Sequence, residues 1–185
     1  MLGKKIAQLI LSIMGWKIEA LTPDFDKCIL LVAPHTSNWD FLLGKLGYAA
    51  IGRKANFVIK KEWMVGLAGI IFRKLGGIGV DRHNPSHFTD YIADIFRSEK
   101  AFRLAITPEG TRKRNPRWKK GFYHIAIKAQ VPIVLVKMDY KEKRMSLFDV
   151  FTPTGNEAED IKAVKLRYKG ATGKHPDQFS IGDVS

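Results

Sequence analysis

Leu30-Leu31-Val32-Ala33-Pro34-His35-Thr36-Ser37-Asn38-Trp39-Asp40 is the stretch on which the reading of this chain turns. An apolar run stops at Pro34, a histidine follows at once, and an aspartate comes five positions after it. Beyond Asp40, the residues Phe41, Leu42, Leu43, Leu46, Ala49 and Ala50 recur at helical spacing, which predicts a helix over about 38–52. His35 is therefore expected on the turn leaving a buried strand, with Asp40 in the first turn of the helix. Open α/β sheets place their ligands at such carboxyl ends of strands. An imidazole there, with Asp40 on its other ring nitrogen, is a general base with its orienter; a substrate hydroxyl would supply the missing nucleophile. The same residues fit a capping box, Ser37-x-x-Asp40, with the carboxylate near the positive end of the helix dipole. On this stretch alone both readings stay open.

Outward from it, strand and helix patterns alternate. Short strands are expected at 15–20, 28–33, 55–59, 101–106, 132–138 and 143–151, and a turn and short strand over 76–80. Helices are expected near 85–99, 120–130 and 157–169, and a polar tail from about 171 to 185. There is no internal repeat and no low-complexity linker, so 1–185 reads as one α/β domain with a mixed, mostly parallel sheet flanked by helices. Within it, 1–20 forms an amphipathic N-terminal segment and 28–140 carries the motifs. Leu2, Ile6, Leu9, Ile10, Ile13 and Met14 share one helical face, suited to packing on the domain or to lying in a bilayer interface. Trp63 to Phe72 is apolar nearly all round and bracketed by Lys60, Lys61, Arg73 and Lys74. A core helix is the expectation for it, an interfacial element the alternative.

Charge narrows the partners. Lys plus Arg number 31 against 18 acidic residues, a net charge of +13. That excess favours polyanions: nucleic acid, an anionic membrane surface or phosphate-bearing substrates. The cations are spread along the chain, and neither a zinc-ligand set nor an RNA-recognition aromatic signature is present, so no specific nucleic acid is expected. The densest basic run is Arg112, Lys113, Arg114, Arg117, Lys119 and Lys120, read either as a solvated loop or as a contact for lipid head groups or a phosphopantetheine-type donor. The single cysteine, Cys28, excludes an internal disulfide and reads as a small core residue. His83 and His87 lack a third ligand and have Pro85 between them, so no metal site is expected. With no secretory signal pattern, a cytoplasmic location is the expectation.

Three further blocks carry chemistry. Gly76-Gly77-Ile78-Gly79-Val80-Asp81-Arg82 ends a short strand on an arginine, suited to paired hydrogen bonds with a phosphate or to a surface pair with Asp81. Thr107-Pro108-Glu109-Gly110-Thr111-Arg112 follows another strand; Gly110 lets backbone N–H groups approach an anion, Thr111 adds a hydroxyl and Arg112 a charge. Glu109 would brace Arg112 or Arg82, or bind a substrate hydroxyl. Val131-Pro132-Ile133-Val134 opens a continuous apolar strand, read as core and, in a lipid enzyme, as the wall of an acyl tunnel.

In order and spacing, His35-x-x-x-x-Asp40, Gly79-Val80-Asp81-Arg82, Pro108-Glu109-Gly110-Thr111-Arg112 and Val131-Pro132-Ile133-Val134 resemble the four blocks of the glycerolipid acyltransferase family. Thr107 departs from a usually aromatic place and Lys113 from a common serine. The resemblance implies a glycerol-3-phosphate acyltransferase-like fold, His35 as general base and Asp40 as its partner. It also implies that Arg82, Glu109, Gly110, Thr111 and Arg112 bind the acceptor's glycerol phosphate. No cofactor would be held permanently: acyl-CoA or acyl carrier protein would donate the acyl group to a lysophospholipid acceptor, most simply 1-acylglycerol-3-phosphate, with an amino-acid-based lyso-lipid as the alternative. Membrane phospholipids would be partners of a protein peripheral to the inner, cytoplasmic membrane.

Overall fold

A computed structural model describes residues 2–80 and 85–184. Along them run α1 (Leu2–Ile13), β1 (Lys17–Ala20), β2 (Lys27–Ala33), α2 (Trp39–Ala50), β3 (Asn56–Lys60), α3 (Gly66–Lys74), β4 (Gly77–Val80), α4 (Pro85–Ser98), β5 (Phe102–Ile106), α5 (Gly121–Ala129), β6 (Ile133–Asp139), β7 (Arg144–Phe151) and α6 (Glu157–Arg167). Single 3-10 turns stand at Lys61–Trp63 and Pro176–Gln178. Asp81, Arg82 and His83 lie outside the described residues, and with them the phosphate-binding expectation for Arg82.

The strands form one sheet in the order β1-β7-β6-β2-β5-β3-β4. Only β6 and β7, joined by a short turn, pair antiparallel; every other pairing is parallel. This is the mixed, mostly parallel sheet the alternating pattern implied. From β2 the chain steps two places over to β3, runs out to β4, returns through β5 beside β2, and then crosses to β6 on β2's other flank. The carboxyl end of β2 therefore lies where the chain changes direction, the place open α/β sheets use for ligands.

Because β2 is central and covered on both faces, its run is apolar without alternation. Its residues still divide by face, with period two. Ile29, Leu31 and Ala33 pack with Phe96, Phe122, Ile125 and Tyr168, on the side of α4, α5 and α6. Cys28 and Leu30 pack with Ala7, Leu11, Leu43, Tyr48 and Met145, on the side of α1 and α2. Each buried Leu or Ile contributes about 1.5–3 kcal/mol by leaving water.

Two expectations for the apolar helices change. In α1 the row turned to the core is Ala7 and Leu11, while Ile6, Leu9, Ile10 and Ile13 are exposed. The expected face thus points largely outward, and Ala7 and Leu11, which lie outside it, make the core contact. Trp63 and α3, expected in the core, lie on the surface: Trp63, Val65, Leu67, Ile70, Ile71 and Leu75 are all exposed. An all-round apolar helix signals only that water is absent from it, and protein is one way to achieve that. Among the described residues no helix is long and apolar enough to cross a membrane.

The segment from 171 onward, expected as a polar tail, packs on the fold through its backbone. The Tyr140 N–H donates to Thr172 O at 2.8 Å, and the Trp118 indole N–H to Ser180 O at 3.0 Å. Phe179 and Ile181 lie against the core on the α4–α6 side.

Candidate active site

His35 stands two residues past β2, after the cis Ala33–Pro34 peptide, and Asp40 is the second residue of α2. The turn between them brings the imidazole Nδ1 to 3.1 Å from Asp40 Oδ2. The same Oδ2 accepts the backbone N–H groups of Thr36 and Ser37, each at 2.8 Å. The Trp39 N–H turns to Ser37 Oγ at 3.2 Å. Turn and ring therefore share one carboxylate: the group that accepts the backbone N–H groups of the turn between β2 and α2 also fixes the imidazole. Asp40 Oδ1 accepts the hydroxyl of Tyr140 at 2.5 Å, a residue that sequence patterning did not single out. Burial alone would raise the Asp40 carboxyl, but donors from His35, Tyr140 and Ser37 together hold it below its ordinary value. Tyr140, pushed up by its own burial and then by Asp40, keeps its proton and donates it.

Since β5 lies beside β2 in register (Leu31 opposite Ile106), the turn that follows β5 meets the turn that follows β2. Glu109 there accepts the His35 backbone N–H on Oε1 at 2.8 Å. The residue is 1% exposed, and its Oε2 has no hydrogen-bond partner among the described residues. Burial pushes its carboxyl up to about 8, against the pull of its own N–H and that of His35, with the Asp40 charge adding to the rise. The sequence expectation was a carboxylate bracing Arg112 or Arg82, or binding a substrate hydroxyl. Among the described residues, which do not include Arg82, no cation pairs with it, and its carboxyl supports the His35 turn. Gly110 takes φ +66°, a left-handed conformation that a side chain would resist, and so turns the chain between Glu109 and the basic loop.

A cavity of about 730 Å³ joins these parts. His35, whose side chain is 21% exposed, lines it together with Asp40, Gly110, Thr111 and Arg112. The structure thus brings together four of the expected residues besides His35, while Glu109 lies behind the wall. Arg112, Lys119 and Lys45 supply the cations of the lining, and none of the three forms an ion pair among the described residues. Lys119 belongs to the basic run noted in the sequence; Lys45 reaches the cavity from α2, donating to Ala55 O and Leu75 O at 3.1 and 2.6 Å. Burial lowers the Lys45 ammonium from its ordinary value. Much of the lining is apolar, with Leu30, Val32, Phe57, Val136 and Met145, and the Lys45 ammonium lies 5.4 Å from the Phe57 ring centroid. Val136 continues the apolar strand opened by Val131-Pro132-Ile133-Val134.

The C-terminal segment clasps this site. The His175 N–H donates to Thr36 Oγ1 at 3.1 Å, and a Cβ on Gly173 would stand 2.7 Å from that oxygen, so only glycine allows the approach. Oriented by its neighbours, the Gln178 amide nitrogen donates to Thr36 O at 3.2 Å and to Arg112 O at 2.6 Å. One side chain so ties the His35 turn to the Arg112 loop. No group of three or more His, Cys, Asp or Glu side chains placed for a metal exists among the described residues.

The chain is 31% identical over 142 residues to a 1-acyl-sn-glycerol-3-phosphate acyltransferase of Limnanthes douglasii, covering 71% of this chain and 48% of that protein. It is 27% identical over 143 residues to the enzyme of that name from Haemophilus influenzae, covering 73% of this chain and 59% of the relative. The chain spans about half the length of the curated relatives it matches. The crystal structure of the 1-acyl-sn-glycerophosphate acyltransferase from Thermotoga maritima shares its fold, with a TM-score of 0.58 at 16% identity over 92% of this chain and 80% of that one. The family described as Acyltransferase matches residues 17–139, from β1 through the end of β6 and thus every part of the cavity wall from Leu30 to Val136, and the chain belongs to that family.

Proposed function

We propose that this protein transfers a fatty acyl group from a thioester, acyl-CoA or acyl carrier protein, to the free hydroxyl of a lysophospholipid, with 1-acylglycerol-3-phosphate as acceptor and phosphatidate as product. The observation that carries this reading is one cavity with three chemistries in its wall: Arg112 and Lys119, which form no ion pair among the described residues, the His35–Asp40 pair, and apolar side chains. The relatives named above are 1-acyl-sn-glycerol-3-phosphate acyltransferases, which favours a phosphate-bearing acceptor.

With Nδ1 held on Asp40, the His35 ring leaves Nε2 for the acceptor hydroxyl. As the hydroxyl oxygen bonds to the thioester carbonyl carbon, its proton passes to Nε2, and Asp40 stabilises the imidazolium. Collapse of the tetrahedral adduct breaks the C–S bond, and the thiolate leaves with the proton returned from Nε2. No acyl-enzyme is required, because a thioester is already activated. Arg112 and Lys119 hold the acceptor phosphate by charge-assisted hydrogen bonds, and the apolar part of the wall receives an acyl chain. The acyl donor comes and goes with each turnover, so no resident cofactor takes part. A lipid acceptor brings the protein to a membrane surface, where its +13 charge favours an anionic leaflet such as the cytoplasmic face of the inner membrane.

The test is purified protein with lysophosphatidate and each thioester in turn, following thiol release and phosphatidate. His35→Ala should abolish transfer, a loss of at least about 10³-fold, while circular dichroism and melting stay as in the unmodified protein. Transfer by His35→Ala at near the unmodified rate would end the proposal.

A further inference from the structure

We infer that the face formed by Trp63 and α3 is a docking surface for an anionic lipid leaflet, and that it feeds lipid sideways into the cavity. The inference rests on the acyltransferase reading only for what happens after docking. A surface helix normally turns its apolar side to the core. Here Leu67 is 81% exposed, Val65 69%, and Trp63 and Ile71 58% each, on one helix and the turn before it. Contiguous apolar surface of this kind marks a contact with something other than water.

Charge favours a bilayer as occupant over a protein. Lys60 and Lys61 stand exposed before the apolar stretch and Arg73 and Lys74 after it, against a single acid, Glu62. Cations bracketing an apolar helix match head-group phosphates above an acyl layer, and a tryptophan at its rim suits the interface. At nine residues α3 cannot span, so it lies in the plane of the surface.

The second observation is a file of aromatic rings leading inward. Trp63 and Phe72 have centroids 6.3 Å apart, Phe72 and Phe57 6.5 Å, and Phe57 and Phe41 4.7 Å. Phe57 and Phe41 already line the cavity. The exposed face and the cavity wall are thus one apolar track. Trp63 and α3 follow β3, whose carboxyl end lies at the same end of the sheet as the His35 turn, because β3, β5 and β2 run parallel. An acyl chain leaving a leaflet along this track reaches the site without crossing water.

The experiment compares the unmodified protein with Leu67→Asp/Ile71→Asp and with Lys61→Gln/Lys74→Gln, by cosedimentation with vesicles of phosphatidylcholine alone or with about a third phosphatidylglycerol. The aspartate pair should bind both vesicles at least ~10-fold more weakly. The glutamine pair should lose about 5-fold per charge on the anionic vesicles and little on the neutral ones. Transfer to short-chain lysophosphatidate dissolved as monomers should be unchanged in the aspartate pair, while transfer to vesicle-embedded acceptor falls with binding. Vesicle binding within two-fold of the unmodified protein overturns the inference. So does a dimer of the unmodified protein that the aspartate pair dissolves, which would mean that a second copy covers the face. If even the unmodified protein transfers nothing to either acceptor, the acyltransferase reading fails while the binding results still decide the docking surface.

Discussion

Replacing Glu109 by Gln separates two incompatible roles for that residue. A carboxylate bracing an arginine titrates below its ordinary value, whereas a buried carboxyl with no cation beside it is held protonated. Among the described residues no cation pairs with Glu109, and burial raises its carboxyl from 4.5 to about 8. An unfolded chain at any pH between those values has lost this proton, and folding takes it up again. The stability that Glu109 contributes is therefore full below pH 4.5 and is lost as pH climbs to about 8. At about 1.4 kcal/mol per pH unit, the loss across the window is on the order of 5 kcal/mol. Glutamine matches the neutral acid in shape, keeps an oxygen for the His35 N–H, and does not titrate. Urea unfolding of both proteins at pH 5, 6, 7 and 8 gives the difference in unfolding free energy, in which all other titrating groups cancel. The stability of the unmodified protein minus that of Glu109→Gln should fall steadily, by several kcal/mol, from pH 5 to pH 8. A difference constant to within about 0.5 kcal/mol over that range would refute the reasoning. A difference that instead grows from pH 3 to pH 5 would restore the bracing carboxylate.

Two further substitutions probe the cavity. Tyr140→Phe removes one donor from Asp40, so its carboxyl should rise; the acid limb of the kcat/KM profile should move to higher pH and stability should fall by about 1–2 kcal/mol, whereas a purely structural tyrosine would leave the pH profile in place. Arg112→Ala should raise KM for lysophosphatidate about 10–100-fold, an ion-assisted hydrogen bond of about 1.5–3 kcal/mol, with kcat changed less; an unchanged KM would remove Arg112 from phosphate binding.

Much of this architecture was legible because its signals are local. The apolar run at Leu30–Ala33 marks a strand, the break at Pro34 ends it, and the spacing after Asp40 starts a helix; the observed elements differ from expectation by one or two residues at their ends. The His35–Asp40 pair was readable for the same reason, since both partners sit on one short turn. Glu109 was found, but not the bond by which it holds the His35 turn. Its contact with the His35 N–H exists only because β5 inserts beside β2, and strand adjacency leaves no trace in either segment. Tyr140 is a hundred residues from Asp40 and follows an apolar strand with nothing to distinguish it from any turn tyrosine. Gln178 and Gly173 hid in a polar stretch because one bonds only backbone oxygens of the site and the other serves by leaving room beside the Thr36 side chain. The α3 expectation failed on a different ground: composition reports exclusion from water, and sequence alone does not distinguish protein from lipid as the excluding medium.

Asp40 shows how the fold commits the site to one proton-accepting group. Its carboxylate collects Thr36 N–H, Ser37 N–H and Tyr140 O–H in addition to the imidazole. Three of these four donors do not titrate near neutrality, so the carboxylate remains stabilised whether or not His35 carries a second proton. In the proposed transfer, a proton arriving on Nε2 would stay on the ring, paired across Nδ1 to a charge the protein has already stabilised, and would be available to the departing thiolate. Two of the three donors are backbone groups of the turn between β2 and α2, which bury with it. Asp40→Asn would remove the charge and leave a single acceptor oxygen for the turn and the ring together, which is why loss of stability and loss of transfer should accompany each other there, while His35→Ala separates them.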